Sequence, residues 1–216
     1  MSTFVELQDE ILSHQFSPAQ YRAYIKNRLN QGESYIAAQC DFRELQDVEV
    51  VTTVANDADT PLPGDFQRLV NVTINLSNGT VVPLSSESVT SIYQHSASTG
   101  RPERYAIDGT NLRLWPTPDS AYTVTLRYYR KPTTMTDPEN QPSIPPEYHH
   151  LIVSYALWHC WERENDWNAA AYHKQRFDED LQKCRGEVQY DSDDYTQPRL
   201  VGEERTDALA PSAWVL

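Results

Sequence analysis

Four of the six histidines, the three cysteines and a cluster of aspartates are the residues of this chain best suited to chemistry, and their spacing argues against most of it. His149, His150, His159 and His173 invite a metal. Two ligands on one helix need i, i+3 or i, i+4 spacing, and no HExxH occurs here, while the ten residues from His149 to His159 do not match that spacing. His173 falls on the apolar stripe of a predicted helix and reads as a hydrogen-bonded core histidine. Asp191, Asp193 and Asp194 begin like a calcium loop, but the required glycine and terminal glutamate are missing. A solvated acidic segment is the better reading. Cys40, Cys160 and Cys184 are odd in number, widely spaced and free of any CxxC pairing. They predict reduced, buried thiols rather than a zinc site or a disulfide framework.

Nucleophile and phosphate-binding motifs are missing too: no GxSxG, no P-loop, and no GxGxxG after a strand. Carboxylates are plentiful, but no pair stands out as the separated acid and base that general acid–base catalysis needs. The triplets at Asn71, Asn75 and Asn78 match a glycosylation pattern, yet they overlap an Asn- and Thr-rich hairpin. Trp158, Trp161, Trp167, Tyr155 and Tyr172 cluster in sequence. They would suit a stacking platform for a base or sugar. Their spacing is helical, so a bundle core or a subunit interface is the commoner use. No cofactor, metal or catalytic residue is expected.

The elements that carry these residues can be read from periodicity. Residues 3 to 15 predict a short helix with Phe4, Leu7, Ile11 and Leu12 on one face. Ser17, Pro18 and Gln20 then read as an N-cap, a first helical position and a capping box. The helix they open is expected to run to about Leu45, with Gly32 as a weak point or kink. From Asp47 the pattern becomes β. Val70, Val72, Ile74 and Leu76 alternate with Asn71, Thr73 and Asn75, and Asn78-Gly79 signals a hairpin. A short helix capped by Ser85 or Ser86 is expected to reach Gln94. Tyr105 to Ile107, Leu112 to Leu114 and Tyr122 to Tyr128 predict further strands, together a meander with one apolar face.

A Pro-rich connector follows at 131–146, then two helices. The first, YHHLIVSYALWHCWERE, is apolar nearly all round and should lie at the centre of a bundle. The second is expected from about Asp166, capped by Asn165 or Asp166, with Ala170, His173, Phe177, Leu181, Cys184 and Val188 on its apolar stripe. Beyond Asp191 periodicity is lost. That stretch is acidic and cannot fold alone. Tyr190, Tyr195, Pro198, Leu200, Val201, Trp214, Val215 and Leu216 read as spaced anchors of an arm that orders on a neighbouring subunit. The predicted fold is therefore α+β. A helical bundle forms from N-terminal helices (1–46) and a connector with the C-terminal helix pair (133–190). An antiparallel β lobe (47–132) is inserted, and an extended arm (191–216) closes the chain.

The formal net charge of −13 disfavours a tightly held nucleic acid, since phosphate affinity comes from clustered Lys and Arg. An acidic surface would still suit a conduit that DNA must pass without sticking. The first residues, MSTFVELQDEILSHQF, lack the basic and apolar regions of a signal peptide, and no apolar run would span a membrane. A protein made and used in cytosol-like conditions is expected.

The segment GRPERYAIDGTNLRLWPTPDSAYTVTLRYYRKP, from Gly100 to Pro132, resembles the β core of head-to-tail adaptor (connector) proteins of tailed bacteriophages. There, a Gly-x-Pro-x-x-Tyr opening, a short hairpin, an x-Pro-x-Pro strand end and a long alternating strand follow one another. Upstream, LPGDFQRLVNVTI is similar to the family's lead-in to that core. Downstream, IPPEYHHLIVSYALWHCWE and a charged second helix resemble its C-terminal helix pair. The resemblance implies a structural protein of the virion neck. Family members form twelve-fold rings that dock on the portal protein and extend the DNA channel toward a stopper or tail-completion protein. Their C-terminal segments reach into the portal, and Gln189 to Leu216 is the positional match. The family carries no catalytic site. Another neck, tail-completion or minor capsid protein is the nearest rival reading, and a carbohydrate-binding or hydrolytic module a more distant one.

Overall fold

The computed structural model describes residues 2–76 and 78–193. Helix α1 (Phe4–Leu12) opens on a reciprocal capping box: Thr3 N–H donates to Glu6 Oε2 at 2.8 Å, and Glu6 N–H to Thr3 Oγ1 at 3.4 Å. Those bonds satisfy two backbone donors that a helix start leaves unpaired. Helix α2 (Pro18–Gln39) starts at the expected place, but Ser17 caps it through backbone geometry alone, with no side-chain bond, so the predicted capping box is absent there. The helix ends at Gln39, short of Leu45, and a 3-10 turn (Arg43–Leu45) follows. Gly32 does not break it. A Cβ at that position would lie 2.8 Å from Tyr155 Cδ1, so the missing side chain lets two helices approach.

The strands are β1 (Gln46–Thr52), β2 (Asp59–Pro61), β3 (Phe66–Asn75), β4 (Val81–Pro83), β5 (Ser85–Ser86), β6 (Thr99–Gly100), β7 (Arg104–Asp108), β8 (Asn111–Trp115), β9 (Thr117–Pro118) and β10 (Thr123–Arg130). Helix α3 (Val89–Gln94) lies between β5 and β6, and Ser88 rather than Ser85 or Ser86 caps it, accepting from Ser91 N–H. Among the described residues, one sheet has the order β1-β10-β3-β4, a second β2-β8-β7-β5, and β6 and β9 form a small ribbon. The expected simple meander is therefore corrected. Strand β10 is central in the first sheet, flanked by β1 and β3, both antiparallel and both distant in sequence. The β7–β8 hairpin belongs to the second sheet, and its turn takes Gly109 to φ +60°, as Asp-Gly turns require. Two short pairings, β5 with β7 and β6 with β9, are parallel. Val72, Ile74, Leu112, Leu114, Val124, Leu126 and Tyr128 share the core of this β region.

Helix α4 (His149–Arg163) follows a 3-10 turn (Pro146–Tyr148), and helix α5 (Trp167–Asp193) completes the described chain. Asp166 caps α5, accepting from Ala169 N–H at 3.0 Å. Helix α4 is central as predicted, with Leu151, Ile152, Val153, Ala156, Leu157 and Cys160 all buried and with α1, α2 and α5 around it. The N- and C-terminal helices thus share one core, which also takes in Phe42, Leu45 and Tyr129 of the β10 strand. The fold is α+β.

The Pro-rich connector runs across α2 and is fastened to it. Asn30 Oδ1 accepts from Met135 N–H at 2.8 Å while its Nδ2 donates to Met135 O at 3.1 Å. One turn on, the buried Glu33 carboxylate accepts from Ser143 N–H. The start of α1 joins the other side: Phe4 N–H donates to Asn140 O at 2.7 Å and Val5 N–H to Pro138 O at 3.1 Å. Met135 and Ile144 fill the bundle core beneath.

Candidate assembly interface

The candidate ligating side chains are scattered by the fold. His149 is buried, with Nε2 3.2 Å from Ile144 O, and desolvation lowers its pKa. His150 is exposed, its Nδ1 2.7 Å from Glu147 O. His159 stacks on Trp158 and bonds Glu162 at 2.8 Å, and burial again lowers its pKa. His173 departs from expectation. It is half-buried rather than in the core, and its ring meets His14 edge-on at 6.1 Å. Burial, then the neighbouring His14, lowers its pKa. Among the described residues no group of three or more His, Cys, Asp or Glu could hold a metal. The three cysteines are free and buried, as predicted. Burial pushes the Cys160 thiol up to about 12, which leaves it unreactive as a nucleophile.

The aromatic residues separate by environment. Trp161 turns inward against Phe16, ring centroids 4.9 Å apart. Tyr155 and Trp158 are half-buried and line one flank of the bundle. Tyr35 stacks on Tyr155 at 5.9 Å, and Lys174 Nζ sits 5.5 Å from the Trp158 ring. Trp167 and Tyr172, at the start of α5, are 65% and 61% exposed. Rings this exposed contribute little to folding and a great deal to any surface that covers them. The first sheet adds a second uncovered area: Val48, Val50 and Val81 stand exposed on the face opposite its core.

At the far end of α5, Phe42, Pro145, Tyr148 and Val188 form the apolar wall of a groove of about 550 Å³, rimmed by Glu44, Glu147 and Glu187. Tyr148 Oη donates to Glu187 Oε2 at 3.1 Å across it. Of the predicted arm, Tyr190 falls in the last turns of α5, with only its backbone described. Tyr195, Pro198, Leu200, Val201, Trp214, Val215 and Leu216 lie outside the described residues. Nothing in the sequence signals the groove, because its walls come from three separated stretches of chain.

Residues 2–202 match the family model described as SU10 adaptor protein. The chain belongs to the SU10 adaptor family. No curated protein matches it. The match takes in every described element and continues past α5 through Tyr195, Pro198, Leu200 and Val201, while Trp214, Val215 and Leu216 lie beyond it. Membership gives the chain a structural role as a bacteriophage adaptor, placed at the virion neck with other head and tail proteins. A structural adaptor family implies a non-enzymatic role. Among the described residues no helix is long and apolar enough to cross a membrane.

Proposed function

We propose that this SU10 adaptor protein assembles as a twelve-membered ring beneath the portal protein, extending the DNA channel toward a stopper or tail-completion protein. The family match, which covers the whole described chain and runs on into residue 202, carries the reading. In this arrangement the helices of 1–46 and 133–190 form the body of each subunit, and 47–132 projects from it as a lobe. A closed ring repeats one pair of complementary patches between successive copies. The exposed Trp167 and Tyr172 supply the large, partly polar contact area that such patches favour. The acidic excess, repeated around the ring, keeps passing DNA from adhering.

The end of α5 and the segment after it act as the arm that binds the portal or a neighbouring subunit, through Tyr190 on the helix and Tyr195, Pro198, Leu200, Val201, Trp214, Val215 and Leu216 beyond it. Since α5 continues to Asp193, a chain ending there keeps every described element. Deletion of residues 194–216 should leave the far-ultraviolet circular dichroism and the thermal midpoint unchanged and abolish co-sedimentation with portal rings. Portal binding at full strength by that truncation would refute the arm.

A further inference from the structure

Cys40 ends helix α2, and Cys184 lies on α5, nine residues before the last described residue, Asp193. They are 144 residues apart in sequence, yet Cys184 Sγ–H donates to Cys40 Sγ at 3.4 Å. Both are buried, at 3% and 1% exposure. A disulfide needs its sulfurs about 2.0 Å apart, so bonding requires a closure of about 1.4 Å inside a packed site. Cys160 sits elsewhere in the bundle core, on α4.

We propose that Cys40 and Cys184 form a modification site at which a small peroxide-class oxidant closes a disulfide between α2 and α5. The local chemistry assigns the two roles. The bond from Cys184 and, after it, the Arg185 guanidinium favour the thiolate at Cys40, against burial and the nearby Asp41. Its partner is held protonated, first by that same bond and then by burial. The Cys40 thiolate therefore attacks one peroxide oxygen. The O–O bond breaks, and the departing oxygen leaves as water after taking up a proton. The Cys184 sulfur then attacks the resulting sulfenic acid. The S–O bond breaks, the S–S bond forms, and the second oxygen leaves as water with the Cys184 proton. Two thiols lose two electrons in all, and one peroxide becomes two waters.

The site selects its oxidant by size, because neither sulfur is open to a bulky disulfide. Arg185, held by Gln39 at the end of α2, brings its charge to the Cys40 side of the contact. Once closed, the bond ties the end of α2 to the stem from which residues 194–216 depart.

The full-length reduced protein should be treated with a few equivalents of hydrogen peroxide, quenched, denatured, alkylated and mapped without reduction. The expected product is one Cys40–Cys184 linked peptide, lighter by two hydrogens, with Cys160 alkylated. Its thermal midpoint should rise by about 5 °C or more, reversibly with reductant. Cys160→Ser should retain the link, and Cys40→Ser and Cys184→Ser should each lose it. Peroxide added to the denatured chain should give no preference for this pair. Recovery of Cys40 and Cys184 both alkylated, oxidised singly to sulfinic acid, or linked to Cys160 would overturn the assignment. So would an equal preference in the denatured chain. The outcome is independent of portal binding, which the truncation tests.

Discussion

Glu33 sets burial against hydrogen bonding in a single carboxylate. It lies 1% exposed under the Pro-rich connector and accepts hydrogen bonds from Ser143 and Ile144, with Arg130 as the nearby favourable charge. Those contacts favour the ionised form, but desolvation outweighs them and raises the pKa from 4.5 to about 7. The native state thus holds a proton that the unfolded chain has released at intermediate pH. Stability from this group is fully present below pH 4.5 and is lost as pH rises through 7. A separation of about 2.5 pKa units at 1.36 kcal/mol each amounts to about 3 kcal/mol across that window. Glu33→Gln cannot titrate. Urea unfolding of both proteins from pH 5 to 8 should therefore show the wild type losing up to about 3 kcal/mol relative to the variant. The amide cannot reproduce every bond of the carboxylate, so a constant offset between the curves is expected and only their divergence counts. Parallel curves, or a wild type that gains on the variant as pH rises, would mean that the hydrogen bonds win and refute the reasoning.

Gly32→Ala should destabilise the protein by about 1 kcal/mol, because overpacking against Tyr155 (~1–3 kcal/mol) outweighs the ~1 kcal/mol that alanine gains in a helix. With Tyr155→Ala as background the sign should reverse, leaving a gain of about 1 kcal/mol by thermal unfolding. Asn30→Ala strands both polar backbone groups of Met135. It should cost about 2 kcal/mol and speed proteolysis within 131–145, as followed by mass spectrometry. Trp167→Ala and Tyr172→Ala should each shift stability by less than about 0.5 kcal/mol, since both rings are exposed. Under the proposed ring, either should weaken assembly about tenfold in light-scattering titrations with portal.

Periodicity reports which side of a chain faces a core, and it served well wherever one element buries one side. The alternation through Val70 to Leu76 located β3, and the all-round apolarity of the segment after Pro145 placed α4 at the bundle centre. It carries no information about neighbours, so β10 could not be recognised as the partner of both β1 and β3, its pairs with β1 alone joining residues 71 to 83 apart, from Thr52 with Thr123 to Gln46 with Tyr129. Local chemistry was ambiguous for a related reason. Ser17 has the right type and position for a side-chain cap of α2, yet its side chain makes no such bond, whereas Thr3 and Glu6 close a capping box on α1. Gly32 reads as a flaw until Tyr155 is seen beside it. Trp158, Trp161 and Trp167 look alike in sequence, and only packing separates an inward ring from an exposed one. The Cys40–Cys184 contact was out of reach, since no spacing rule spans so long a separation.

Helix α5 spans 27 residues, about 40 Å at 1.5 Å per residue. It follows α4 through the short turn at Glu164 to Asp166, where Asp166 accepts from Ala169 N–H, and packs back on α4 through Phe177, whose ring meets Tyr155 and Trp158. A rod of that length converts angle into displacement. A tilt of about 5° of the packed α4–α5 pair carries the tip ~3.5 Å sideways, following directly from the rise per residue. Copies arranged about a common axis would sum such tilts into a visible change in the diameter traced by their tips. Under the proposed ring, one such rod per subunit would let the tips meet partner rings of differing width.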